Sequence, residues 1–205
     1  MQVAVAEGAP GLLLDGAAQD LLFREARTIE DFTNAPVTDE QVQAIYDLIK
    51  YGPTSMNQQP LRIVLLRSAA AKGAAIRWML GVNKARTAAA PLTALLAADL
   101  RFHERLPELF PAKPDAARLF EDPFVREESA RFNAALQIAY FILGVRAAGL
   151  AAAPTLGFDA EGIDKEFFGD GRHTILTVLN MGRPAAVAVP PRLPRLAFRD
   201  VVTVM

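Results

Sequence analysis

The chain contains no cysteine, and that one absence excludes zinc–thiolate centres, iron–sulfur clusters, thiol nucleophiles and redox dithiols together. Histidine is nearly as scarce, with His103 and His173 the 2 in 205 residues. A hydrolytic triad needs one of them beside a serine and a carboxylate, and nothing in the sequence connects such groups. The patterns G-x-x-x-x-G-K-[ST], H-E-x-x-H and G-x-S-x-G are also missing, which removes the phosphate loop, the metalloprotease helix and the nucleophile elbow. Gly169-Asp170-Gly171 precedes a strand-like run instead of following one, so it reads as a turn. No metal site is expected. Like charges never stand five in a row, and 22 Lys+Arg against 23 Asp+Glu give a formal net charge of -1. Without a broad cationic field, nucleic acid is not an expected partner.

Long hydrophobic runs are lacking as well. The longest, Ala134 to Leu150, is interrupted by Gln137 and Arg146 and falls short of the ~20 residues that cross a bilayer. It reads as a core helix, and no membrane association is expected. Met1 to Gly11 carries no basic leader, and Leu12-Leu13-Leu14 stops at Asp15, so the expected compartment is the cytoplasm.

What is present suits a globular fold: 52% of residues are hydrophobic, and a chain of this length buries roughly 70% of its unfolded surface. Neither a repeat nor a linker divides it, so residues 1–205 read as a single domain. Residues 1–11 look like a loose arm, followed by helical spacing of Leu13, Ala17, Leu21 and Leu22. Thr38 and Gln41 form a possible capping box for a helix carrying Val42, Ile45, Tyr46 and Ile49, which stops at Tyr51-Gly52-Pro53 with Gly52 in a left-handed cap. Arg62–Leu66 and Leu92–Ala98 read as buried strands covered on both faces, with a helix over Ala69–Leu80 between them. Residues 100–123 read as irregular. Asp122-Pro123 then opens a long helix ending at Gly149. Its second half is apolar nearly all round and must be buried by its own domain or by a second subunit. Asp159–Phe168 reads as a short helix and Thr174–Met181 as another strand, before a Pro-rich tail. The mixture defines an α+β or α/β sandwich. With no self-sufficient catalytic motif, the loops of small, polar and Arg residues at element ends suit a bound organic cofactor that carries the chemistry.

Three segments, in this order and spacing, carry a resemblance: Phe23-Arg24-Glu25-Ala26-Arg27-Thr28, Tyr51 to Pro60 (YGPTSMNQQP), and Arg192-Leu193-Pro194-Arg195-Leu196. Together they resemble the FMN-dependent nitroreductase family over nearly the whole chain. His103 to Pro111 (HERLPELFP) is similar to the branch described as malonic semialdehyde reductases. The resemblance implies an α+β sandwich, with a mainly antiparallel central sheet flanked by helices, assembled as a homodimer. It also implies FMN in two interfacial clefts, NADH or NADPH as hydride donor, and a ping-pong cycle in which the flavin, not a catalytic side chain, transfers hydride. The acceptor it suggests is malonic semialdehyde, reduced to 3-hydroxypropionate, or a nitro or quinone compound.

Residue by residue, the resemblance assigns Arg27 and Thr28 to the flavin edge or its phosphate–ribityl chain. It assigns Pro53, Thr54, Ser55 and Asn57 to a loop supplied by the other subunit. Thr155, Leu156 and Gly157 fall in a segment whose backbone N–H groups face flavin O4 and N5, and Arg192 and Arg195 on the phosphate. Asn83 to Arg86, Lys84 included, lies near a further flavin contact. Ala26, Glu30 and Leu61 depart from the family pattern, which keeps open an alternative: a catalytically silent, flavin-binding dimer of the same fold.

Overall fold

An eight-residue run without a charge before its last position, LTALLAAD, forms strand β2 (Leu92–Asp99), buried throughout its length. Alternation along it sorts the core into two faces. Leu92, Ala94 and Leu96 point to one side with Ile45, Ile49, Ile138, Phe141, Val145 and Leu179. Leu95 and Ala97 point to the other with Ala75, Met79, Ile163 and Val178. β2 lies beside β1 (Leu61–Leu66) and β4 (His173–Gly182), and β3 (Ala151–Thr155) completes the order β1-β2-β4-β3. Every pairing is antiparallel, with a register shift between Leu96 and Ala97. The computed structural model describes residues 11–186 and 191–205, so most of the expected N-terminal arm lies outside the described residues.

Helices cover both faces. α2 (Asp39–Ile49) and α6 (Pro123–Ala147) pack on one, α3 (Ala69–Trp78) and α7 (Ala160–Phe167) on the other. α2 begins with the expected capping box, Thr38 Oγ1 accepting from Gln41 N–H and Gln41 Oε1 from Thr38 N–H. α6 begins on Asp122, whose carboxylate accepts from Phe124 and Val125 N–H, and ends before Gly149 at φ +70°. α1 (Gly16–Gln19) runs into a π-type turn over Asp20–Arg24. Among the described residues no helix is long and apolar enough to cross a membrane.

Several expectations need correction. Gly52 is not a left-handed cap, since its φ is not positive. A Cβ there would stand 2.9 Å from the Tyr140 ring, so close packing, not backbone freedom, demands glycine. The first helix starts at Gly16 rather than Leu13, which is exposed. β1 is only partly covered, because it is an edge strand. Residues 100–123 contain the helix α5 (Leu106–Leu109) and 3-10 turns over Phe102–Arg105 and Ala116–Phe120, which enclose a third apolar cluster around Phe102, Leu106 and Phe120. Strand β3, α4 (Asn83–Ala89) and the tail helix α8 (Phe198–Val201) were not expected either.

Candidate functional site

The segment Pro53–Pro60 leads into β1 through a backbone few sequences adopt. Met56, Asn57 and Gln59 have φ of 51°, 53° and 45°. Non-glycine residues in that region cost of the order of 1 kcal/mol or more each and persist only where surroundings over-determine them. The surroundings here are polar. Ser55 N–H donates to Asn133 Oδ1 (2.7 Å), Gln58 Oε1 accepts from Ser129 Oγ (3.0 Å) and Asn133 Nδ2 (3.1 Å), and Gln59 N–H donates to Thr54 Oγ1 (3.3 Å). Asn57 Nδ2 reaches Leu109 O at 2.9 Å and Gln59 Nε2 reaches Asn57 Oδ1 at 2.8 Å. Gln58 is 1% exposed, and its Nε2 is buried without an acceptor.

Below this loop, Asp99 anchors the chain. Its carboxylate, 1% exposed, accepts from Arg62 (2.7 Å), from Arg172 (3.0 and 3.1 Å) and from Arg101 N–H (2.8 Å). Burial by itself raises the pKa of this carboxyl; the Arg172 hydrogen bond, the Arg101 N–H and the two guanidinium charges outweigh it and hold the group below its ordinary value. Arg62 also donates to Gln59 O (3.0 Å) and Leu61 O (2.9 Å), tying the loop's exit to that anchor. Beside it lies a cavity of about 750 Å³ walled by Val42, Tyr46, Leu61, Ile63, Leu109 and Phe141, with Gln59, Arg62 and Arg105 at its polar end.

The remaining predicted residues gather elsewhere. What reads in sequence as a connecting loop, Ala153-Pro154-Thr155, is the end of β3, and Pro154 is tolerated because β3 is an edge strand. Thr155 O accepts from Thr177 Oγ1 (2.9 Å), and Gly157 O accepts from Leu80 N–H (2.8 Å) and Asn83 Nδ2 (3.3 Å). Gly157 N–H is taken by Thr155 Oγ1 (3.0 Å), while Leu156 is exposed. A small cavity of about 100 Å³ opens beside it, lined by Glu30, Phe32, Asn83, Arg86, Thr155 and Asn180. Glu30, one of the departures from the family pattern, is paired there with Arg86 at 2.6 Å.

Next along the chain from Glu30, arginines crowd one turn. Arg192 donates to the carbonyls of Phe23, Arg24 and Ala26, and Arg27 to those of Arg24 (3.1 Å) and Ala26 (3.2 Å). Arg146, from α6, donates to Leu22 O at 3.0 Å, and its Nε is buried with no acceptor. Burial, and then the neighbouring Arg192 charge, pull the Arg146 guanidinium below its ordinary pKa. Acidic partners are few and exposed: Glu25 lies 3.6 Å from Arg27 and Asp20 3.6 Å from Arg24. The turn is short of negative charge. Arg195 folds back on Leu193 O (2.9 Å) and Pro194 O (3.1 Å), and Thr28 is exposed.

Two sets of predicted residues lie at opposite edges of the four-stranded sheet: Pro53–Asn57 precede β1, and Thr155–Gly157 end and follow β3, roughly 14 Å apart at the usual interstrand spacing. Arg27 and Arg192 meet instead on the turn over Phe23–Ala26. Among the described residues no hydrogen bond or ion pair joins Pro53–Gln59 to Arg27, Thr155–Gly157 or Arg192. Sequence reasoning missed Arg146, Asn133 and Gln137. A signal existed for the last two, because Ser129, Asn133 and Gln137 recur every fourth residue of α6, which is one face of a helix. Neither histidine stands in either group: His173 Nδ1 lies 3.5 Å from Asp170, and His103 packs edge-on to Phe102.

This is the architecture of an antiparallel four-stranded sheet between helical layers, with polar loops at both edges, and it is shared with known proteins. The chain belongs to the nitroreductase family, whose model, described as Nitroreductase family, matches residues 23–183. It is 60% identical, over 94% of its length and 98% of the relative's, to a Streptomyces griseus protein provisionally named NADH dehydrogenase/NAD(P)H nitroreductase. Among solved structures it is similar to a provisionally assigned nitroreductase of Bacillus subtilis, with a TM-score of 0.84 at 19% identity, covering 92% of this chain and 99% of that one. Another, from Exiguobacterium sibiricum and solved in complex with FMN, has a TM-score of 0.77 at 18% identity, covering 91% and 96%.

Proposed function

We propose that the protein is an FMN-dependent NAD(P)H oxidoreductase, a single nitroreductase-like domain working in the cytoplasm as a homodimer. The observation that carries this reading is the split of the predicted site between two sheet edges. One protomer holds two half-sites that do not meet, and a second copy can bring the complementary half to each. The apolar stripe of α6, with Phe132, Leu136 and Tyr140 exposed, supports such a pairing, since a monomer of this family member would leave it in water.

The residues present suit FMN. Arg27, Arg146 and Arg192 converge where negative charge is lacking, and the buried Arg146 Nε has no acceptor; a phosphate supplies both charge and acceptors, and guanidinium binds it bidentately. Thr28 and Arg195 flank that turn as further candidates. Pro53, Thr54, Ser55 and Asn57 form the opposing half, where the unpartnered Gln58 Nε2 leaves a donor. Thr155, Leu156 and Gly157 would present backbone to the ring. FMN, when bound, would supply the hydride-transfer chemistry between NADH or NADPH and an acceptor. The protein's part is to hold, orient and exclude water. The acceptor would be one that the family resemblance suggests, a nitro or quinone compound or malonic semialdehyde.

The test is a visible absorption spectrum of purified protein, loaded with FMN, before and after anaerobic NADH or NADPH. Bleaching that reverses when a nitroaromatic, quinone or malonic semialdehyde is added is the expected result. A protein that takes up FMN but is not bleached by either nucleotide is the silent flavin-binding dimer; one that takes up none overturns the proposal.

A further inference from the structure

The strain in the loop before β1 has a mechanical source that no short motif marks. Ser129, Asn133 and Gln137 lie at four-residue spacing on α6, a polar row set into a helix face that otherwise packs on the sheet through Ile138, Phe141 and Val145. Each member grips the same stretch of chain. Ser129 Oγ donates to Gln58 Oε1, Asn133 accepts from Ser55 N–H and donates to Gln58 Oε1, and Gln137 Oε1 accepts from Leu61 N–H at 2.9 Å. The bonds bracket Met56, Asn57 and Gln59, the three non-glycine residues of positive φ. Asn133 is 2% exposed and Gln58 1% exposed, so water cannot substitute for lost partners, and an unpaired buried amide is costly.

We propose that Asn133 and Gln137 are positioning residues, which act through residues 55–61 to hold the cofactor loop in its strained, ligand-ready shape. This rests on the reading of that loop as half of a flavin site, but the ladder itself can be tested without flavin. Neutral amides suit the task because each presents a donor and an acceptor in a fixed plane, whereas an ion pair here would add a large desolvation cost. The unpartnered Gln58 Nε2 gives the row one adjustable element. At the partly exposed Gln137, a carboxylate would keep the acceptor for Leu61 N–H.

The experiment compares Asn133→Leu, Gln137→Leu and Gln137→Glu with the wild-type protein. Hydrogen exchange is read amide by amide without FMN, and FMN affinity by quenching of flavin fluorescence. Both Leu variants are expected to speed exchange across residues 55–61 by about tenfold or more, leave the amides of β2 and β4 protected, and weaken FMN binding by a similar factor. Gln137→Glu, which keeps the acceptor for Leu61, is expected to fall between wild type and Gln137→Leu, a graded rescue that a role in overall stability alone would not produce. Should Asn133→Leu fail to fold, the partly exposed Gln137 site carries the same test. Unchanged exchange at 55–61 in a folded variant overturns the ladder. If exchange responds but wild type binds no FMN, the ladder stands and the flavin reading fails.

Discussion

The two halves of the proposed site are built on opposite principles. One half is charged: guanidinium groups of Arg27, Arg146 and Arg192 rest on backbone carbonyls around Leu22–Ala26, and Arg192 is exposed. The half at the β1 edge is neutral: its exposed Ser55 and Asn57 sit on a strained backbone locked from behind by the buried amides of Gln58 and Asn133. Carbonyl contacts of an exposed guanidinium can be exchanged for an anion at little cost, while a buried amide network cannot be rearranged one bond at a time. The charged half can therefore accept its ligand by partner exchange, and the neutral half must be formed beforehand.

The largest effect is expected where the neutral half meets its anchor. Asp99→Asn leaves Arg62 and Arg172 facing a neutral amide and should cost about 2–3 kcal/mol of stability in urea denaturation, less than a fully buried pair because both arginines are about a third exposed. The same anchor sets a pH dependence. Asp99 has a folded pKa below its ordinary value, so the stability it contributes is present above the unfolded carboxyl range, near 3.8, and is lost as pH falls through the lower folded value. Wild type should lose stability in that acid window faster than Asp99→Asn; parallel acid denaturation curves would contradict the assignment.

Arg192→Ala attacks the other half. FMN affinity should drop by about tenfold to a hundredfold with the melting temperature nearly unchanged, because a charged hydrogen bond to phosphate contributes about 1.5–3 kcal/mol while its carbonyl contacts are exposed. Leu136→Asp, on the exposed stripe of α6, should abolish self-association in analytical ultracentrifugation and weaken FMN binding with it. Ile138, the more obvious choice from sequence, is a poor probe since it is buried in the core beside Phe141. The smallest effect belongs to Arg195→Ala. That side chain bonds to its immediate neighbours, and a change in FMN affinity of less than about threefold is expected; a loss as large as for Arg192 would move the phosphate along the tail.

How far the sequence could be read follows from the same physics. Elements with local signals were legible: the Thr38–Gln41 capping box, the Asp122-Pro123 start of α6, and the apolar runs of β2 and β4. Elements decided by distant partners were not. Ala151–Thr155 becomes a strand through pairing with β4 despite its proline, and Gly52 is required by the ring of Tyr140, far along the chain on α6. The site shows the same divide. Motif order singled out Arg27, Asn57 and Arg192 as candidates, while Arg146, Asn133 and Gln137 were hidden in a core helix whose polar residues look like interruptions until the chain they grip is seen.

The claim that two copies supply complementary halves is tested most directly by mixing broken ones. Arg192→Ala and Asn133→Leu chains, co-produced and purified together, should form hybrid dimers with one site intact and one doubly impaired. Random pairing then leaves about a quarter of all sites binding FMN as tightly as wild type, although each variant alone has none. If the mixture shows no tight sites, each site is built within one protomer and the account is wrong.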